Sequence, residues 1–419
     1  MNQNQYNEII SVVHPVCCGL DVHKKVISAC LITTDELGME HTTVKEFGTF
    51  TEDLYELREW LFENECPTVA MESTGIYWRP VHNILEGYFQ VVLVNARHVK
   101  NVPGRKTDIE DSCWLSGLLK HGLLKASFIP SKEIRHWRDL TRYRKKHVQN
   151  IGEYKQRTQK LLESANIKID SVLSDLFGVS GRNLLNLLIN KEAEITLKDI
   201  TSVIHGRVKP KASELLKSIQ GHFTKHHASL LRLNLDTVNF HEQQIKIIDE
   251  SIKAIMSDIE PLVQALDNIP GVDEVSARAI LAEIGISLDE FPNSSYLCSW
   301  AGLCPGNNES GGKRKSGHSP VKKHELKTLM TEVAHAAVKK QGSYYKEKYH
   351  RLKSRRGPKK AIIAIAHKIL KVIYNIVKHG QEYKELGEDY LHRQHQKSQK
   401  RNLEKQAAKH GFKLVPAEA

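Results

Sequence analysis

Residues Cys17–Thr34 read CCGLDVHKKVISACLITT, and this stretch decides the fold. Val16, Cys17, Cys18 and Leu20 lead into Asp21; His23, Lys24 and Lys25 make a polar turn; Val26, Ile27, Ala29, Leu31 and Ile32 lead out again. The pattern predicts two adjacent strands with a carboxylate inside the first. A half-buried carboxylate costs free energy unless it is neutralised, and a divalent metal is a common functional partner for one. A surface-facing Asp21 on an edge strand is the plain alternative.

Working outward, Thr42–Phe50 alternates like a third strand, and Thr51 is placed to cap a helix over Glu52–Asn64 with Leu54, Leu57, Trp60 and Leu61 on one face. A short apolar strand within Pro67–Gly75 carries a second acid, Glu72. A helix over Tyr77–Gly87 and a buried strand over Phe89–Asn95 follow. The loop Ala96–Thr107 includes Lys106 and enters a helix capped by Thr107, on which Asp108 and Asp111 share a face near the positive end of the helix dipole.

Three strands, helix, strand, helix, strand, helix is the element order of an RNase H-like (RuvC-like) domain, in which acids of the first strand, a middle strand and a late helix converge. Asp21, Glu72, Asp108 and Asp111 occupy those places. Hard carboxylate oxygens suit Mg²⁺, and a paired site stabilises both attacking and leaving oxygens of a phosphodiester. The expected cofactor is Mg²⁺ and the substrate class a nucleic-acid backbone.

Composition agrees. The 419 residues carry 61 Lys and Arg against 49 Asp and Glu, a net charge of +12, which points to a polyanionic partner. No leader opens the chain and no apolar run approaches the roughly 20 residues that span a bilayer, so a soluble, cytoplasmic protein with no membrane contact is expected. Seven cysteines without a C-x-x-C pair indicate reduced thiols rather than disulfides.

From Pro130 to about Ala165 a long basic helix is predicted, with Arg142, Arg144, Lys145 and Lys146 placed to track phosphates. Its apolar stripe needs a partner. Ile245, Ile248, Ile252, Ile255, Ile259, Leu262 and Leu266 step by threes and fours like one unbroken coiled-coil seam, able to pair within the chain or between chains. Ile167–Leu230 reads as irregular helix. Near Asp267 a mostly helical domain begins, and Ile269–Ala277 resembles a helix-hairpin-helix turn in which Gly271 presents backbone N–H groups to a phosphate; an ordinary packing corner is equally compatible. Trp300–Ser319 is a Gly-, Asn- and Ser-rich loop edged by Lys313, Arg314 and Lys315. The expected domains are thus residues 14–128, 129–266 and 267–380, with a basic, polar tail over 381–419.

The four acids, the helical middle, Pro-Gly-x-x-x-x-Ser-Ala at Pro270–Ala277, Ala-Gly-Leu-x-Pro at Ala301–Pro305 and Ser-Gly-Gly-Lys at Ser310–Lys313 resemble the insertion sequence 110 family of transposases, from Cys18 to about Lys340. That resemblance implies a DNA recombinase pairing a RuvC-like DEDD domain with a C-terminal transposase domain. It further implies guidance by a structured bridge RNA that pairs with target and donor double-stranded DNA, and a homo-oligomer, dimer or tetramer, in the prokaryotic cytoplasm at the nucleoid. Carried over, the catalytic set is Asp21, Glu72, Asp108 and Asp111 for the metal and Ser310 as nucleophile. Lys322–Leu329 departs from the family's Lys-x-Gly-Asn-x-x-Leu-Arg pattern. The residues alone leave open a metal-dependent junction endonuclease acting through water.

Overall fold

The computed structural model describes residues 12–35, 37–73, 75–95, 108–191, 194–306, 308–310, 313–316, 324–413 and 415; the side chains of 108–110, 308–310 and 313–316 lie outside that description. The chain divides into two compact units, Met1–Ile129 and Pro130–Ala419.

The first unit is a mixed five-stranded sheet in the order β3-β2-β1-β4-β5. Strands β1 (Val16–Val22) and β2 (Ile27–Thr34) form the expected hairpin, antiparallel with Asp21 opposite Ser28. Strand β3 (Glu40–Phe47) is antiparallel to β2, whereas β4 (Thr68–Glu72) and β5 (Gln90–Val94) run parallel to β1. The period of two in the strands sorts two cores. Leu20, Ile27, Leu31 and Met71 pack under α1 (Thr51–Glu63) and α2 (Trp78–Leu85), with Leu57, Leu61 and Leu85 fully buried. On the other face Cys17, Cys30, Ile32, Ala70 and Val94 pack under α3 (Asp108–Lys120) through Leu115, Leu118 and Leu119. Burying each such leucine is worth about 1.5–3 kcal/mol.

Strand β3 stops before the expected Phe50 because Asp53 reaches back over Gly48, where a Cβ would come 2.1 Å from Asp53 Oδ2. The Asp53 carboxylate accepts the Phe50 N–H at 2.9 Å, so Phe50 takes the cap position and Thr51 begins the helix instead of capping it. The expected cap of α3, Thr107, lies outside the described residues.

The second unit is built on two long helices, α4 (Lys132–Ser164) and α6 (Lys225–Ile255). They pack antiparallel within the chain: Arg144 pairs with Asp249, His147 with His241, and Leu162 shares a core with Leu231. Between them α5 (Val179–Asn190) and several shorter helices close that core around Leu184, Leu185 and Leu215. The seam is not unbroken. Helix α6 ends at Met256, a 3-10 turn covers Ser257–Ile259, and α7 (Glu260–Asp267) restarts with Pro261 in its first turn. Pro261 has no N–H to give and its ring would clash one turn back, so the helix must break before it. Buried positions accordingly pass from Ile252 to Met256 and then Val263, leaving Ile255 exposed.

Beyond α7 come α8 (Glu274–Ile284), α9 (Glu325–Ala337), α10 (Tyr344–Arg356), α11 (Pro358–His379) and α12 (Tyr390–Lys409). The polar tail is therefore largely helical; residues 390–409 hold no Gly or Pro, and the helix buries no side chain. Among the described residues no helix is long and apolar enough to cross a membrane.

Candidate functional site

Gly19 is the point on which the acidic site is built. A Cβ there would come 2.4 Å from the Ser112 carbonyl oxygen and 2.7 Å from both the N and Oγ of Ser116, so α3 lies directly on the backbone of β1. The Gly19 N–H donates to Ser116 Oγ at 2.6 Å, and the Ser116 hydroxyl donates onward to the Cys30 carbonyl. One turn earlier Ser112 Oγ meets Ser28 Oγ at 3.2 Å, and Ser28 is the register partner of Asp21. At the far end the Val13 and His14 N–H groups donate to the Lys120 carbonyl, so α3 runs antiparallel to β1 and its N-terminus lies at the Asp21 end.

Parallel pairing does the rest. Leu20 stands opposite Met71, which carries Asp21 and Glu72 to the carboxyl ends of neighbouring strands. Both follow the alternation of Cys17 and Ala70 onto the α3 face. Asp111 immediately precedes Ser112. The fold thus brings Asp21, Glu72 and Asp111 to one end of one sheet face, each half-buried. Asp108 starts the same helix, with its side chain outside the described residues; Lys106 lies outside them altogether.

Asp21 Oδ2 is 2.9 Å from His23 Nε2, a contact the sequence reading of His23 as a turn residue missed. The Asp21 side chain is only 18% exposed, so the imidazole fixes a carboxylate that water reaches poorly. Among the described residues no three His, Cys, Asp or Glu side chains are close enough to hold a metal ion. The donors at this end of the sheet are carboxylate oxygens, a set that fits a hard divalent cation. Asp21, Glu72 and Asp111 would hold it.

In the second unit the expected phosphate-tracking cations divide. Arg142 donates from Nε and Nη2 to the two oxygens of Glu283 at 2.8 and 2.9 Å, and Glu283 is buried. Arg138 donates to the Ala282 carbonyl at 2.9 Å and to that of Glu283. Burial holds the Arg138 guanidinium down to about 10 even with Glu283 beside it. Arg144 pairs with Asp249, and Lys145 Nζ meets Glu325 at 2.7 Å. These three cations tie α4 to α8, α6 and α9, whereas Lys146 is exposed and pairs with no described carboxylate. Glu283 was missed although it is legible as a lone acid in Ile280–Ile284, where an unpaired charge would not be buried.

Gly271 has φ +84°, and a Cβ there would come 2.4 Å from Ala337 N and 2.5 Å from the Val333 carbonyl oxygen. The turn is seated against the backbone of α9, the geometry of a packing corner; Asp273 caps α8 by accepting the Ser276 N–H at 2.8 Å. Within the Gly-rich stretch, β6 (Asn308–Ser310) pairs antiparallel with β7 (Lys313–Ser316), Ser310 opposite Lys313 and Glu309 opposite Arg314. Ser310 ends its strand at the turn; its side chain, like those of Lys313, Arg314 and Lys315, lies outside the described residues.

Two family models match the chain. Residues 18–167 match a DEDD transposase model and residues 263–350 match the model described as Transposase IS116/IS110/IS902 family. No curated protein matches. The first match covers the sheet with its acids and the whole of the long basic helix, and the second covers the Gly271 turn and β6 and β7. With the two segments matched in order, the chain belongs to the IS110 family of transposases and is an enzyme of DNA transposition.

Proposed function

We propose that the enzyme cuts and rejoins DNA with Ser310 as nucleophile and the carboxylates Asp21, Glu72, Asp108 and Asp111 as the site of Mg²⁺. What supports the metal half is that Asp21 and Glu72 end neighbouring parallel strands on the face that α3 covers, with Asp111 one residue before Ser112 at the same end. Bound there, a divalent cation supplies Lewis-acid stabilisation of charge on a phosphoryl oxygen. Asp21 is oriented for that task by His23, and the Gly19–Ser116 contact fixes the helix that carries Asp111.

The Ser310 hydroxyl oxygen forms a bond to phosphorus as the bond from phosphorus to the departing strand's oxygen breaks. The serine proton is lost to solvent or base, and the departing oxygen takes one up. The phosphoserine keeps the energy of the broken bond, so the reverse step joins a new strand without ATP, whereas water would only cut. A structured guide RNA choosing target and donor and a homo-oligomer belong to the same proposal and rest on the family resemblance, and domains at 14–128, 129–266, 267–380 and 381–419 rest on the sequence pattern.

The test is mass spectrometry of the purified protein, with its co-purifying RNA, after incubation with Mg²⁺ and DNA from the element's ends. A nucleotide adduct on Ser310, absent from Ser310→Ala, is expected. Clean cuts with no adduct, unchanged in Ser310→Ala, would replace this reading with hydrolysis by metal-activated water.

A further inference from the structure

The C-terminal helices enclose a cavity of about 390 Å³ that shares no lining residue with the one between α4, α6, α8 and α9. Its walls are Tyr344 and Tyr345 at the start of α10, Lys368, Lys371 and Asn375 along α11, and Tyr383 and Tyr390 from the chain that follows. The size lies in the roughly 300–1,000 Å³ range of ligand pockets. The composition is the telling part: aromatic rings, amines and the two amides of Asn375 and Gln381 converge, with few acids.

Lys368 and Lys371 form no ion pair with a described carboxylate, unlike Arg142, Arg144 and Lys145. Lys368 Nζ instead stands 5.7 Å from the centre of the Tyr344 ring. Burial, and then Lys368, Arg351 and Arg355, keep the nearby Lys348 ammonium below the usual lysine range, the sign of a crowd of positive charge. Glu385 is occupied: it accepts the Tyr344 N–H at 3.0 Å, the Gly387 N–H at 3.1 Å and the Tyr383 hydroxyl at 2.8 Å. Those three bonds fix the wall that carries Tyr383. Glu382 is the remaining acid, exposed, against Lys368, Lys371 and Lys384.

We propose that this cavity binds an unpaired nucleotide of a single-stranded nucleic-acid segment, with the base stacked on Tyr383 and Tyr390, the two half-buried tyrosines of the lining, and its flanking phosphates on Lys368, Lys371 and Lys384. Stacking accepts any base, since every base has a π-face, and the amines supply the sequence-independent attraction. Asn375, with a donor and an acceptor, is the group placed to meet the base edge. The site rests on a nucleic-acid partner but not on Ser310 or the acids, and its readout is binding without strand transfer.

The experiment uses the full-length protein and pentanucleotides carrying one 5-iodouracil, as RNA and as DNA. Irradiation followed by peptide mass spectrometry is expected to place the adduct on Tyr383 or Tyr390. Tyr390→Ala should weaken pentanucleotide binding about tenfold, with Tyr390→Phe retaining it. Lys368→Ala with Lys384→Ala, both exposed and tolerable to the fold, should flatten the salt dependence by about 1.4 in log–log slope. Adducts from RNA and DNA alike identify the shared nucleotide chemistry, and adducts from RNA alone assign the site to RNA. Adducts mapping only outside α10–α12, or an unchanged salt slope in the lysine double variant, would overturn the proposal.

Discussion

Placing a methyl group on Gly19 should separate the helix that carries Asp111 from the strand that carries Asp21. In Gly19→Ala the new Cβ would lie 2.4 Å from the Ser112 carbonyl oxygen and 2.7 Å from Ser116 N and Oγ, well inside contact distance. None of the first two is a flexible group, so α3 must move by about 1 Å to restore ordinary packing. Overpacking of this kind costs about 1–3 kcal/mol. The move also breaks the 2.6 Å bond from Gly19 N–H to Ser116 Oγ, and an unsatisfied buried N–H adds about 1–3 kcal/mol. The sum, about 2–6 kcal/mol, is a large share of the roughly 5–15 kcal/mol available to a folded domain. Gly117, on the same helix, is the control: nothing lies within 4 Å of a Cβ there, so Gly117→Ala should gain about 0.5–1 kcal/mol. Urea midpoints at unchanged slope measure both, and strand-transfer assays should show Gly19→Ala inactive and Gly117→Ala active. Opposite signs for the two glycines are required. A Gly19→Ala protein within about 0.5 kcal/mol of the parent would refute the close approach of α3 to β1.

Asp21→Asn should abolish strand transfer while leaving the urea midpoint within about 1 kcal/mol, and chelation with EDTA should do the same reversibly; activity in EDTA would remove the metal from the site. Glu283→Ala strips Arg142 of its bidentate partner and Arg138 of its nearest counter-charge, and should cost about 2–4 kcal/mol in thermal or urea unfolding, below the full value for a buried pair because Arg142 is 44% exposed. Lys145 holds the Glu325 carboxyl below its ordinary range, so that contribution is complete above about pH 4.3 and is lost as pH falls through the folded value. Burial and then His241 hold His147 low, so the unfolded chain binds that proton first and stability falls as pH drops below about 6.5. Stability measured from pH 8 to 3 should show both limbs, with His147→Gln flattening the upper one and Lys145→Met the lower. Lys146→Ala should reduce the duplex-binding salt slope by about 0.9, while Arg144→Ala should lower stability and leave that slope unchanged.

The hairpin at Cys17–Thr34 was legible because period-two alternation has one structural solution there, and the element order around it placed Asp21, Glu72 and Asp111 at one end of the sheet. What α3 rests on was harder to see. Ser112 and Ser116 are small residues one turn apart, a spacing that allows a helix to approach a glycine, but they look like any polar helix face until Gly19 is set beneath them. The seam through Ile259 and Leu262 failed for a reason present in the sequence: Pro261 stands between them, and hydrophobic spacing carries no information about a missing N–H. The cation run on α4 was only partly legible. Charge counts identify a basic helix, but which cations face protein acids depends on Asp249, Glu283 and Glu325, all more than a hundred residues away.

That division changes what the net charge of +12 means. A cation contributes to polyanion binding through the counterions its phosphate contact releases, and one already paired with a protein carboxylate must first break that pair. Breaking the Arg142–Glu283 pair would strand a buried carboxylate, which costs several kcal/mol, so Arg142 is committed to the fold. Lys146, Lys368 and Lys371 carry no such commitment to any described acid, and a phosphate can approach them without a competing loss. On this reasoning any nucleic-acid affinity of the second unit would come from lysines such as Lys146, Lys368 and Lys371 rather than from Arg142 and Arg144.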